Sequence, residues 1–185
     1  MPLGVETPAT KISTAQAILS LAFRLSAEVN SGRIGADIFA HAVNIVTGSS
    51  GLRLPASPEL TIVDLKAGME NINVMALSAS ALTLDETLNE VFGKLSADSD
   101  QNRHALRVMV HQLRNAFAHN PWRAKWIVFP KYRNLYPITL DDGSQFTFDA
   151  TSLDGRGITP EQVGGLEFWV KVLQHCERLV IHEQA

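Results

Sequence analysis

Arg114, Asn115 and His119 are the residues of this chain whose types and spacing best suit acid–base chemistry on a phosphodiester. A histidine that titrates near neutrality can take a proton from an attacking hydroxyl or give one to a leaving oxygen. A guanidinium offers a planar fork that grips phosphate oxygens and stabilises charge developing on them. An amide such as that of Asn115 can hydrogen-bond a ribose, a phosphate or the imidazole ring. In RNA the 2′-hydroxyl is an internal nucleophile, so such a site needs no metal: it positions the substrate and moves protons. Arg114 is the only arginine followed by a histidine five to seven positions later.

These residues need a helix to hold them, and the spacing predicts one over Gln101–His119. Leu106, Met109, Val110, Leu113, Ala116 and Phe117 repeat as a buried stripe. At about 100° per residue, His104, Arg107, His111, Asn115 and His119 fall on the opposite side, with Arg114 at the border. Asn115 and His119 are four apart and so are helix-surface neighbours. Pro121 and its restriction of Asn120 end the helix, which leaves His119 near the negative end of the helix dipole, where a protonated imidazole is favoured. From Gln101 to Leu140 there is no Asp or Glu, whereas seven of the sixteen basic residues lie there. Two readings of that asymmetry stand. The segment meets a phosphate-bearing partner, or it packs against the acidic stretch Asp85, Glu86, Glu90, Asp98 and Asp100. On the first, Arg107, His111, Trp122 and Arg123 line an RNA-binding groove. The alternative for Arg107 and His111 is a solvated face, and for Arg114 and His119 a structural role that satisfies the helix's last carbonyls. Trp122 and Trp126 either stack a base or pack in the core or a dimer interface.

The run Arg114-Asn115-Ala116-Phe117-Ala118-His119 resembles the Arg-polar-x-x-x-His signature of the HEPN superfamily. These are helical bundles of prokaryotic defence and toxin–antitoxin systems and of some eukaryotic ribonucleases. The resemblance implies a homodimer that brings two motifs together, and metal-independent cleavage of RNA leaving a 2′,3′-cyclic phosphate. It gives Arg114 the phosphate, His119 the proton and Asn115 an orienting role, and it brings an antitoxin or regulatory protein as a partner. The likeness is sharp over about six residues and architectural elsewhere. Two features depart from the family pattern: a β elaboration follows the motif, and no Tyr follows His119 closely. Members that only bind or scaffold exist, so the alternative is a non-catalytic dimerisation or protein-interaction domain.

The remaining sequence predicts a mainly α fold, a helical bundle with a small β-hairpin or sheet insertion near 125–150. Residues 1–10 read as a flexible tail and 11–185 as a single domain. Ser13-Thr14-Ala15-Gln16 suits a capping box before the Ile18, Leu21, Ala22, Leu25, Val29 stripe, and Asn30-Ser31-Gly32 ends that helix. A second helix is expected over 36–46, burying Ile38, Phe39, Ala42 and Ile45, with a loop over 47–58. Residues 61–95 fit one long helix or two. Trp126–Phe129 is a short β-prone run, and Asp141-Asp142-Gly143 turns a hairpin between 132–140 and 145–148. Thr159-Pro160-Glu161-Gln162 opens the last helix, whose apolar face includes a buried, unreactive Cys176.

Composition narrows the classes. One cysteine excludes an internal disulfide framework and fits a reducing compartment. No apolar run spans a membrane, and residues 1–10 lack a signal-peptide pattern, so the cytoplasm is expected. No metal or cofactor is expected. There is no His-x-x-x-His and no cysteine pair. Gly155-Arg156-Gly157 and Gly164-Gly165 lack the strand and lysine of a phosphate loop. His41, His175 and His182 have no partner at telling spacing.

Overall fold

The computed structural model describes residues 7–47 and 50–184, the side chains of Thr47, Ser50 and His119 excepted. It is mainly helical with a small antiparallel hairpin within 125–150, as the sequence leads one to expect, and it has a second two-stranded sheet, within 43–54, that the sequence does not lead one to expect. The helices are α1 (Pro8–Asn30), α2 (Ile62–Phe92), α3 (Gln101–His119) and α4 (Gly165–Glu183), and the strands β1 (Val43–Thr47), β2 (Ser50–Leu54), β3 (Leu135–Thr139) and β4 (Gln145–Asp149). None of these helices is long and apolar enough to cross a membrane among the described residues. Two compact units emerge: residues 20–74, and residues up to 19 together with those from 75 onward.

α1 starts earlier than expected. The Thr7 N–H donates to Thr10 Oγ1 at 2.8 Å and the Thr10 N–H to Thr7 Oγ1 at 3.2 Å, a reciprocal cap one turn before Ser13. The Ser13 hydroxyl instead donates to the Thr10 carbonyl inside the helix. Residues 8–10 are therefore helical, and residues 1–6 of the expected tail lie outside the described residues. α2 is one uninterrupted helix, which settles the choice left open over 61–95.

In the unit of residues 20–74, Val29, Leu65 and Met69 form a small core, with Ile34 and Phe39 packed against it. The helix expected over 36–46 is absent. A short 3₁₀ turn, Ala36–Phe39, leads into a hairpin in which Val43 pairs with Leu54 and Ile45 with Leu52. The run Val43-Asn44-Ile45-Val46-Thr47 is dominated by β-branched side chains, which are crowded on a helix and fit a pleated strand. Ile38 and Ile45, expected inside, are exposed.

The other unit holds the larger core. Leu106, Met109, Val110 and Leu113 of α3 are fully buried, as are Leu84 of α2 and Trp169, Val172, Leu173 and Cys176 of α4. Burial pushes the Cys176 thiol far above its ordinary range, the reverse of a reactive cysteine. One polar chain inside this core is matched: Trp169 Nε1 donates to Ser80 Oγ at 3.0 Å, and the Ser80 hydroxyl donates to the Leu77 carbonyl at 2.7 Å.

The β3–β4 hairpin lies within the expected insertion, and its turn is the Asp-Gly step. Gly143 takes φ +82°, a conformation costly for any side-chain-bearing residue. Asn102 in the first turn of α3 clamps this hairpin, giving its Nδ2 proton to the Thr139 carbonyl at 2.8 Å and accepting the Thr139 N–H at 2.7 Å. From α4, Arg178 pairs with Asp141, and His175 Nδ1 accepts the Asp141 N–H at 3.2 Å, so His175 is structural rather than incidental. The β-prone run 126–129 forms no strand. Instead Trp126 exchanges backbone hydrogen bonds with Gly155 and Arg156, and its indole N–H reaches Gln162 Oε1 at 2.7 Å. The last helix also differs. Thr159 and Gln162 cap a separate 3₁₀ turn, Pro160–Val163, because Gly164 and Gly165 both adopt positive φ and break the path before α4.

Candidate functional site

α3 begins at a conventional cap, where Asp100 Oδ1 accepts the Arg103 N–H at 2.8 Å. It ends where the sequence places the end, with Asn120 extended before Pro121 and its Oδ1 accepting from the N–H groups of Trp122 and Arg123, both at 3.1 Å. Between these ends, α2 and α3 run antiparallel and meet through polar side chains spaced one turn apart. Asn89 of α2 faces Arg107, and Asp85 faces His111.

Arg107 is not a groove residue. Only 2% of its side chain is exposed; Nη1 donates to Asp98 Oδ2 at 2.8 Å, and Nη2 reaches Asn89 Oδ1 and the Gly93 carbonyl. Arg103 joins the same carboxylate from Nε and Nη2. Burial works to raise the Asp98 pKa, but the hydrogen bonds from the two arginines prevail and hold it below the usual carboxylate range. The expectation that Arg107 contacts RNA is corrected: its fork is filled by protein acceptors. It falls on the polar side of the α3 stripe, but α2 and the residues after it cover that side.

One turn further along, a continuous hydrogen-bonded chain appears. Arg114 Nη1 donates to Asn115 Oδ1 at 3.1 Å, and Asn115 Nδ2 stands 3.1 Å from His111 Nε2. His111 Nδ1 is 3.2 Å from Asp85 Oδ1, and Arg114 Nε lies 3.8 Å from Asp85 Oδ2, an ionic contact that closes the loop. Asp85 is nearly buried, whereas His111, Arg114 and Asn115 are half-buried and keep a solvent-facing side. The Tyr132 ring covers His111 at a centroid distance of 5.9 Å and a tilt of 59°. His111 is thus held from three sides rather than being a free groove wall. The backbone of His119 closes α3; its side chain lies outside the described residues.

Beyond the helix end the two tryptophans separate. Trp126 is fully buried and packs on Phe148 at 5.6 Å, whereas Trp122 is 59% exposed. Arg123 and Lys125 are exposed and carry no ion pair among the described residues, unlike Arg103, Arg107, Arg114 and Arg133, which all face carboxylates. Within the acid-free segment, exposed charge without an ion pair among the described residues thus remains at Lys131, over the Tyr132 ring, and at Arg123 and Lys125, just past the end of α3. Arg123 and Lys125 line a cleft there of about 520 Å³, together with Asn120, Trp126 and Asp154. Arg114 and Asn115 are not among its lining residues.

In the sequence Asp85 stands out only as part of an acidic stretch, and Tyr132 carries no signal of its own. The available signal was the i, i+4 pair Asp85/Asn89 on α2, matching Arg107/His111 on α3. Compared with family models, curated proteins and solved structures, the chain matches none.

Proposed function

We propose that this protein is an RNA-directed, metal-independent endoribonuclease of the HEPN kind, acting through Arg114, Asn115 and His119. In the reaction, O2′ attacks the adjacent phosphorus and the bond to O5′ breaks. A proton leaves O2′ and another reaches O5′, yielding a 2′,3′-cyclic phosphate and a free 5′-hydroxyl. His119 carries a proton, Arg114 stabilises the charge on the non-bridging oxygens, and Asn115 orients the guanidinium. A second copy of the chain would place two such motifs together, as the resemblance implies.

The observation that carries this reading is the 3.1 Å hydrogen bond from Arg114 to Asn115 on a half-exposed face of α3. Adjacent helical residues ordinarily point about 100° apart. Here their side chains converge, and among the described residues Arg114 Nη2 has no hydrogen-bond partner, so one edge of the fork is available to a phosphate. Unpaired Arg123 and Lys125 and the exposed Trp122 supply charge and a stacking surface for single-stranded RNA beside the helix end.

The test is incubation of the purified protein with labelled single-stranded RNA and tRNA in EDTA, beside Arg114→Ala and His119→Ala forms. Cleavage leaving cyclic phosphate ends, lost in both variants, is the expected result. No cleavage by the unmodified protein, or equal cleavage by the variants, defeats the reading. A non-catalytic dimerisation or protein-interaction domain is favoured by a different observation: Val43, Ile45, Leu52 and Leu54 share one face of the β1–β2 hairpin, and all are exposed. On that reading the protein cuts no RNA, and Ile45→Lys with Leu52→Lys abolishes self-association measured by light scattering.

A further inference from the structure

We infer that Asp85 and His111 are positioning residues, a relay that sets the amide orientation of Asn115 and through it the guanidinium of Arg114; the inference rests on the ribonuclease reading above. The hydrogen-bond directions form one consistent chain. Arg114 can only donate, so Asn115 must present Oδ1 to it and Nδ2 to His111. Nε2 of His111 is then an acceptor, and the ring's proton sits on Nδ1, where the carboxylate of Asp85 receives it. Reversing any one member, by turning the amide or moving the ring proton, sets two donors or two acceptors face to face elsewhere in the chain.

Asp85 anchors both ends of this loop. Its Oδ1 takes the imidazole, and its Oδ2 faces Arg114 Nε, a buried nitrogen with no hydrogen bond of its own. The Asn115 amide therefore holds Nη1 and the Asp85 carboxylate faces Nε, while Nη2 has no hydrogen-bond partner among the described residues. Tyr132 packs against His111 and restricts its rotation. This role differs from that of a proton carrier. Nε2 of His111 is occupied by Asn115, and no atom of the ring needs to touch substrate.

The experiment combines spectroscopy with kinetics on the full chain. In ¹⁵N-labelled protein, long-range ¹H–¹⁵N correlation spectra of the histidine rings should show His111 with its proton on Nδ1. Asp85→Ala and Asn115→Ala should each disturb that pattern, in variants whose circular dichroism is unchanged. With RNA substrate, His111→Ala should lower kcat about 100-fold, the order expected when a charged group is misplaced by an ångström. His111→Gln, whose amide offers one donor and one acceptor, should restore most of that loss. In an Arg114→Ala background, His111→Ala should cost little more, because the relay acts through Arg114.

A His111 proton on Nε2, or wild-type kcat in His111→Ala, overturns the inference. A His111→Gln form as inactive as His111→Ala also overturns it, since the ring would then be moving protons itself. Absence of cleavage by the unmodified protein defeats the ribonuclease reading, and the ring tautomer then decides the relay separately.

Discussion

Arg107 Nη1 lies 2.8 Å from Asp98 Oδ2, and both side chains are shut away from water. The contact joins α3 to the segment that enters it, with Asn89 and the Gly93 carbonyl accepting the other end of the same guanidinium. Removing Arg107 leaves Asp98 paired with Arg103 alone and strips the Asn89 amide oxygen and the Gly93 carbonyl of their donor, which typically costs about 1–3 kcal/mol for each buried acceptor left unmet. Arg107→Ala is therefore expected to lower the unfolding free energy by an amount of that order in urea denaturation, and Arg107→Lys to recover only part, lacking the second arm of the fork. A variant as stable as wild type would show that the pair contributes nothing.

The same carboxylate sets an acid limit on stability. Despite burial, the arginine hydrogen bonds hold Asp98 below the usual range, so its folded-state pKa lies under that of the unfolded chain, about 4. Its contribution is fully present above the unfolded value and is lost as pH falls through the folded one. Urea midpoints should fall on acidification below about pH 4, and more shallowly in Asp98→Asn. Identical acid limbs in the two proteins would refute this assignment.

Trp122 and Trp126, four positions apart, should behave oppositely. Trp126→Ala empties a fully buried site against Phe148 and is expected to cost about 3–5 kcal/mol of stability. Trp122→Ala should leave thermal stability within about 0.5 kcal/mol. It should weaken binding of an uncleavable 2′-deoxy oligonucleotide by the equivalent of about 1–3 kcal/mol, measured by fluorescence anisotropy. Unchanged affinity would remove Trp122 from the RNA surface.

Arg123 and Lys125 should register in salt dependence. Each cation that neutralises a phosphate of a single strand contributes about 0.7 to the slope of log affinity against log salt. Arg123→Ala and Lys125→Ala are each expected to flatten the slope by about that amount with little effect on folding. An unaltered slope would place the bound strand away from the end of α3.

The hairpin clamp is a matter of stability alone. Asn102→Ala removes both hydrogen bonds to Thr139 and is expected to cost about 1–3 kcal/mol by thermal denaturation. Faster amide exchange at Thr139 should accompany it. Protection equal to wild type would mean that β3 is held without the clamp.

By itself the sequence determined the features that local chemistry controls. The span of α3 follows from its apolar stripe and from Pro121, and the β3–β4 turn follows from Asp-Gly, because both signals act over a few neighbouring residues. Burial of Cys176 follows from its place on the apolar face of α4. Tertiary structure decided which polar residues are occupied. Arg107, His111 and Arg114 all lie off the buried stripe, but whether such a residue meets water or a carboxylate depends on what a distant segment brings opposite it. Asp85 and Asn89 arrive from α2, 26 and 18 residues before their partners His111 and Arg107, and only antiparallel packing sets them against α3. The same dependence explains the error over 36–46, where a run compatible with two periodicities took the one suited to its β-branched side chains once Leu52 and Leu54 were available to pair with it.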